Sequence, residues 1–167
     1  MTLLSAIVVL TNIAYTAAYD TCARCPAWVQ YELVPSEIVV TNRSSMSFRA
    51  DPRVAESDNA DDYSASGFDR GHMAPAADFN FDRAALAETY YFSNVCPQVP
   101  KTNRGEWAKV EAEVRELAKS YPVNVLTGPM VFPGNTNRIG RVLVPDAFLK
   151  IAWGEFGLRV WLVENKD

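Results

Sequence analysis

The sequence predicts a mixed α+β domain built on a mostly antiparallel sheet and carrying one long helix. Three observations lead there. Trp28 to Val34 (WVQYELV) alternates large apolar and polar residues, the period of a strand. From Asn103 the period changes: Trp107, Val110, Val114 and Leu117 recur every three or four residues and draw one apolar stripe along a helix that runs to about Lys119. Beyond it come short apolar segments separated by turn residues, which suits successive strands.

Residues 1–18 open the chain with Leu3, Leu4, Ile7, Val8, Val9 and Leu10 and end in Ala17 and Ala18. The small residues resemble a secretory cleavage point, but the positive start of such a segment is missing. Thr11 and Asn12 interrupt the run, which is too short for a membrane span. A strand leading into Tyr15 and Tyr19 explains it equally well. Pro35 ends the strand that begins at Trp28. Residues 41–66 are polar and acidic and predict a long surface excursion, with Asp51, Glu56, Asp58, Asp61 and Asp62 in a solvated loop. Residues 90–95 (YYFSNV) suit a buried strand bounded by Pro97. After the helix, Pro122 to Leu126, Arg141 to Val144, Phe148 to Trp153 and Leu158 to Val163 follow as strands, with turns at Gly128-Pro129, Pro133-Gly134 and Gly154.

There are no internal repeats and no linker long enough to divide the chain, so residues 1–167 form one domain. At 49% hydrophobic content the chain has the material for a real core. Sixteen basic residues against twenty acidic ones leave a net charge of -4, which argues mildly against a nucleic-acid binder, since polyanion affinity comes from Lys and Arg. The clustering of the acids softens that objection and leaves room for a local basic cleft. Cys22, Cys25, Cys96 and His72 would all be needed for a four-ligand zinc site, across a spacing unlike a zinc ribbon. Cys22 and Cys25 form either a local disulfide or two small buried thiols.

The chemistry-bearing stretch is residues 69–75, Asp-Arg-Gly-His-Met-Ala-Pro. His72 is the single histidine, so a general base working near neutral pH is His72 or a carboxylate with a raised pKa. Arg70 offers a planar fork for a phosphate. Downstream, Ser93-Asn94-Val95 with Pro97-Gln98 ends the aromatic segment, and Asn103-Arg104-Gly105 with Trp107 opens the helix, followed by Glu111. Each residue also has a plainer explanation. His72 alone is an ordinary histidine, Asn103 with Glu106 reads as a helix N-cap with its capping-box partner, and Glu111 as an exposed helix residue. Arg70 could pair with Asp69 or Asp78, Asn94 could cap a turn, and Trp107 belongs to the core.

Together these three ordered blocks resemble the DNA/RNA non-specific endonucleases of the ββα-metal, or His-Me finger, family, of the endonuclease G type. Weaker similarity runs from Tyr19-Asp20 and Pro26-Ala27-Trp28-Val29-Gln30-Tyr31 to Thr127-Gly128-Pro129 and Val144-Pro145, covering most of the chain. The resemblance implies a His-Me finger α+β fold with a long metal-site helix, and metal-dependent hydrolysis of DNA and RNA phosphodiesters. It implies that His72 takes a proton from the attacking water and that Asn103 is the direct protein ligand of one Mg²⁺, with Mn²⁺ or another divalent ion able to substitute. Glu111 would hold water of that ion's shell, Asn94 would orient the site, and Arg70 would stabilise charge on the scissile phosphate. Asn103, Trp107 and Glu111 would lie within roughly a quarter-turn of one another on a regular helix.

Two departures accompany the resemblance. The family has a further phosphate-contacting arginine upstream of the histidine. Arg43, Arg49 and Arg53 lie near, the alignment puts Met46 at the position itself, and Arg43 and Arg49 are the candidates for substrate phosphate. The chain also stops at Asp167, where the family continues, which suggests a C-terminally truncated or minimal form. The expected partners are DNA and RNA, with a protein inhibitor and a homodimer as open options and no membrane span. The rival expectation is a catalytically weak or inactive nucleic-acid-binding relative or fragment. A third is an interaction module whose histidine block is coincidental. Secretion or a periplasmic location suits an enzyme that would endanger its own cell's nucleic acid.

Overall fold

The computed structural model describes residues 6–39 and 46–167. In chain order the strands are β1 (Ile7–Thr11), β2 (Tyr15–Asp20), β3 (Cys25–Leu33), β4 (Asp69–His72), β5 (Val95–Gln98), β6 (Val123–Met130), β7 (Arg138–Ile139), β8 (Val142–Leu143), β9 (Ala147–Gly154) and β10 (Gly157–Glu164). The helices are α1 (Ala60–Tyr63), α2 (Arg83–Glu88) and α3 (Ala108–Ala118), the last continuous with a wide π-helical turn over Thr102–Trp107. Six strands make one sheet in the order β1-β2-β3-β6-β9-β10, antiparallel throughout. β4 and β5 form a separate two-stranded ribbon, and β7 and β8 a small hairpin. This is the α+β fold with a mostly antiparallel sheet that the sequence predicts.

The sheet has one buried and one open face. Alternation turns Val29, Tyr31, Leu33, Val123, Val125, Phe148 and Ala152 inward, all buried in a core shared with Trp107, Val110 and Val114 of the long helix. On the opposite face Leu158, Val160 and Leu162 of the edge strand β10 are more than half exposed. Their register partners Trp153, Ile151 and Leu149 on β9 are half-buried.

Several elements differ from expectation. The N-terminal run is two strands, with Ala17 and Ala18 fully buried inside β2 on opposite faces of the sheet, so the small pair marks a strand covered on both sides. The acidic stretch is not a solvated loop throughout. Asp51 is buried, bonded to Arg53 and to Ser93 Oγ, and Asp62 pairs with Arg141. Residues 92–94 form a 3-10 turn and the strand begins only at Val95, running through Pro97. Proline is tolerated there because a two-stranded ribbon leaves half of each strand's backbone groups without a ladder partner. The helix starts at residue 100, and the Asn103 N–H already donates to Val99 O at 2.9 Å, so Asn103 is no N-cap. Pro100 suits the first helical turn, where its missing N–H costs nothing. No disulfide forms. Cys25 and Cys96 meet as buried thiols, and burial together with the hydrogen bond that the Cys96 thiol donates to Cys25 pushes the Cys96 thiol well up.

Candidate active site

The β4–β5 ribbon sets the site. Its register pairs Asp69 with Gln98, Arg70 with Pro97, Gly71 with Cys96 and His72 with Val95. Alternation puts Arg70 and His72 on one side of β4, and Asp69 and Gly71 on the other. Gly71 is required by close approach: a Cβ there would sit 2.2 Å from the Gln98 carboxamide. That carboxamide is fully buried and neither of its ends finds a hydrogen-bond partner among the described residues. The sequence offered Gln98 only as part of a block, with nothing to mark it as a buried amide.

Asn94 sits behind this ribbon, fully buried. Its Oδ1 accepts from Ala74 N at 2.9 Å, and its Nδ2 donates to Ala74 O and Thr89 O, each at 2.9 Å. The Met73 N–H donates to Asn94 O at 2.9 Å. With its hydrogen-bonding capacity spent on backbone, Asn94 shapes the turn that follows His72 and acts on the site through that turn.

On the other side of β4 an aromatic bracket holds the imidazole. Phe48 and Tyr90 lie 5.1 Å from the His72 ring and 5.0 Å from each other, Tyr90 edge-on. The Arg70 guanidinium stands 5.7 Å from the Phe48 ring and 5.8 Å from that of Tyr63, cation over π-face. Neither Asp69 nor Asp78 takes Arg70, because other arginines occupy both. Phe48 reaches His72 because the backbone of Arg49 bridges the 90–92 segment: Arg49 N donates to Tyr90 O and Phe92 N to Arg49 O. The Arg49 guanidinium lies over the Tyr91 ring at 4.3 Å. Arg43 lies outside the described residues, and Met46 packs half-buried against the core. The bracket joins residues forty apart, which no local pattern reveals.

The helix brings in the third group. Asn103 Nδ2 donates to Asp69 Oδ2 at 2.9 Å, and Arg104 closes a fork on the same carboxylate, Nε to Oδ2 at 2.8 Å and a terminal nitrogen to Oδ1 at 2.6 Å. Burial raises the Asp69 carboxyl, but the bonds from Arg104 and Asn103 outweigh it and hold the group below the usual carboxylate range. With its nitrogen committed to Asp69, Asn103 has its amide oxygen as the atom suited to a hard cation. Among the described residues no cluster of three His, Cys, Asp or Glu could cage a metal. Eight residues of regular helix would swing Glu111 roughly 80° from Asn103. The π-helical turn between them advances less per residue and takes up part of that drift. Glu111 is half-buried, with its charge acting on Arg115, Tyr31 and Lys150.

Below the site is a second polar group, which the sequence did not signal. Asp78, in the 3-10 turn Ala76–Phe79 that follows Pro75, is bonded to Arg115 at 2.8 Å and accepts from the Tyr31 hydroxyl at 3.0 Å. Lys150 Nζ approaches the Tyr31 hydroxyl at 3.5 Å and stands 4.9 Å from the Trp107 ring. Burial pushes the Asp78 carboxyl up and the Lys150 ammonium down.

Comparison with known proteins decides the family. The DNA/RNA non-specific endonuclease profile matches residues 3–165. The chain belongs to that family. It is 36% identical over 173 residues to endonuclease G, mitochondrial, of Bos taurus, covering 91% of this chain and 58% of that protein. It is 39% identical over 127 residues to nuclease EXOG, mitochondrial, of Danio rerio, covering 74% of this chain and 37% of that one. The structure of an EndoG/EndoGI complex, described as the mechanism of EndoG inhibition, superposes with a TM-score of 0.85 at 32% identity, covering 95% of this chain and 74% of that one. The chain thus spans less than two thirds of the length of these curated relatives.

Membership of the DNA/RNA non-specific endonuclease family corrects one expectation. The curated relatives, from cattle and humans to two yeasts, are mitochondrial nucleases, which conflicts with a secreted or periplasmic location. The cleavage-point resemblance behind that expectation fails physically too, because cutting at Ala17 or Ala18 would sever β2 within the sheet. Among the described residues no helix is long and apolar enough to cross a membrane.

Proposed function

We propose that this chain is a metal-dependent nuclease that hydrolyses phosphodiester bonds of DNA and RNA with little sequence preference, using His72 as general base. One observation carries the proposal: the tetrapeptide that bears Arg70 and His72 also binds, through Asp69, the amide of Asn103. Base, phosphate-binding arginine and candidate metal ligand are thereby held in one short hydrogen-bonded unit.

Cleavage needs an activated water, neutralised phosphate oxygens and help for the departing oxyanion. A bound Mg²⁺, or Mn²⁺ in its place, would supply positive charge at the scissile phosphate. His72, steadied by Phe48 and Tyr90, takes the proton from the attacking water as its oxygen bonds to phosphorus and the ester P–O bond opposite breaks, its electron pair leaving on the departing oxygen, which then takes a proton from solvent. Arg70 faces the same side of β4 and neutralises the phosphate. Asn103 would hold the ion through its amide oxygen, and Glu111 would accept hydrogen bonds from water of its shell. Recognition through phosphates and not base edges accounts for the lack of sequence preference. By analogy with the EndoG/EndoGI complex, a protein inhibitor is a further proposed partner.

His72→Ala removes cleavage of plasmid and RNA by about 10²-fold or more while leaving the fold and metal binding intact. Wild-type rates in that variant, at matched purity, sink the proposal. Excess EDTA abolishes cutting; persistence of activity in EDTA removes Asn103 from the ligand role. The second reading is a relative that binds nucleic acid and cuts weakly or not at all. It is favoured by the Arg49 guanidinium being engaged on the Tyr91 ring. Mg²⁺-dependent cutting in a gel assay rules it out, and salt-sensitive binding without cutting supports it.

A further inference from the structure

On β9 alternation turns Phe148, Lys150 and Ala152 toward the helix, all fully buried. An aliphatic side chain at 150 would fill that space at no electrostatic cost. A buried ammonium costs several kcal/mol unless opposite charge and hydrogen bonds match it. Here the match is specific. The Tyr31 hydroxyl and the Trp107 ring contact Lys150, and the carboxylates of Glu111 and Asp78 act on it through charge. With Arg115 this makes two cations and two carboxylates, spread over β9, the helix and the turn after His72, with the Tyr31 hydroxyl of β3 between them.

The order along the helix gives this group a direction. Lys150 stands over Trp107, one turn from Glu111 on the Asn103 side. Arg115 lies one turn from Glu111 on the other side, tied to Asp78. Glu111 is therefore drawn by two cations at opposite ends.

The geometry points to Lys150 as a positioning residue that holds the Glu111 carboxylate toward the Asn103 end of the helix, against the pull of Arg115. This rests on the reading of Asn103 and Glu111 as the metal-holding pair. Lys150 touches neither substrate nor ion. Without its charge Glu111 turns to Arg115, and the site loses an acceptor for the ion's water.

The test is a double-mutant cycle on the full chain, with Lys150→Met, Glu111→Gln and the pair. Mn²⁺ binding is read by calorimetry, plasmid cleavage as a function of Mg²⁺, and folding by thermal unfolding. Lys150→Met, similar in length and uncharged, weakens Mn²⁺ binding by about tenfold and raises the Mg²⁺ needed for half-maximal cleavage by the same factor, with KM for DNA nearly unchanged. In the Glu111→Gln background it adds no further loss. A lowered melting temperature with unchanged Mn²⁺ affinity, or equal losses in both backgrounds, overturns the inference. If Lys150→Met does not fold, Tyr31→Phe, which removes only the hydroxyl linking Lys150 to Asp78, replaces it; unchanged Mn²⁺ affinity there overturns the inference. A wild-type protein that binds Mn²⁺ but does not cut refutes the nuclease reading, while the binding cycle still decides the role of Lys150. Absence of Mn²⁺ binding by the wild type overturns both.

Discussion

Two aspartates flank His72, and each is clamped by an arginine of the same helix, yet they behave oppositely. Asp69 meets Arg104 at 2.6 Å near the start of the helix, with side chains 17% and 72% exposed. Asp78 meets Arg115 at 2.8 Å near its end, with side chains 1% and 25% exposed. Asp69 is held below the usual carboxylate range, and Asp78 is pushed above it by burial that Arg115 and Tyr31 only partly offset. Asp69 takes a two-bond fork from Arg104 and Asp78 a single bond from Arg115, but the larger difference is water: the heavier desolvation of Asp78 decides the sign. The wet clamp keeps an ionised carboxylate available to orient Asn103. The dry clamp ties the turn after His72 to the core.

The largest consequence falls on the dry clamp. Asp78→Ala removes the carboxyl altogether and leaves Arg115 and the Tyr31 hydroxyl buried without that acceptor, which costs about 3 kcal/mol of stability, measured by urea unfolding. A loss below about 1 kcal/mol would mean that the two clamps do not differ in kind. Asp69→Asn has the reverse profile. Its stability changes by less than about 1 kcal/mol, as for exposed ion pairs, while the Mg²⁺ requirement for cleavage rises about 10-fold to 100-fold as Asn103 loses its orienting partner. Thermal unfolding beside a Mg²⁺ titration separates the two effects, and destabilisation as large as that of Asp78→Ala would erase the contrast.

How much of this was legible depends on how local each cause is. The long helix, β3, β9 and β10 were visible because their periodicities are written in consecutive residues. The blocks around His72, Asn94 and Asn103 were visible as blocks, though not as geometry. Asp69 stood in plain view, but its bond to Asn103 spans thirty-four positions. Lys150 was hidden for another reason: in Phe148 to Trp153 a lysine amid apolar residues reads as the outward partner in an alternation, whereas here it points inward and its apolar neighbours Leu149 and Ile151 face the open side. The edge strand misleads similarly, since Leu158, Val160 and Leu162 look like core and are exposed. Where both faces of a sheet are apolar, pattern fixes the strand but not which side is buried.

The finest discrimination between the clamps is the pH dependence of stability, and its sign differs for the two. Asp69 has a folded pKa below its unfolded value of about 3.9. Its contribution to stability is therefore fully present above that value and is lost as pH falls through the folded pKa. Asp78 has a folded pKa above its unfolded value. Between the two the unfolded chain has released its proton and the folded chain retains it, so stability falls as pH rises through that window and levels off beyond it. Urea unfolding of the wild type and both variants, from about pH 3 to pH 7, reads these slopes. Asp69→Asn removes a rise on the acid side, and Asp78→Ala, which also lacks the titrating group, removes a decline above it. The first effect is the smaller, because salt screens a pair whose arginine stands largely in solvent. Raising ionic strength flattens the Asp69 slope and leaves that of Asp78 nearly unchanged. Equal sensitivity of the two slopes to salt would mean that water reaches both carboxylates alike, and the distinction between a wet and a dry clamp would fail at its cause.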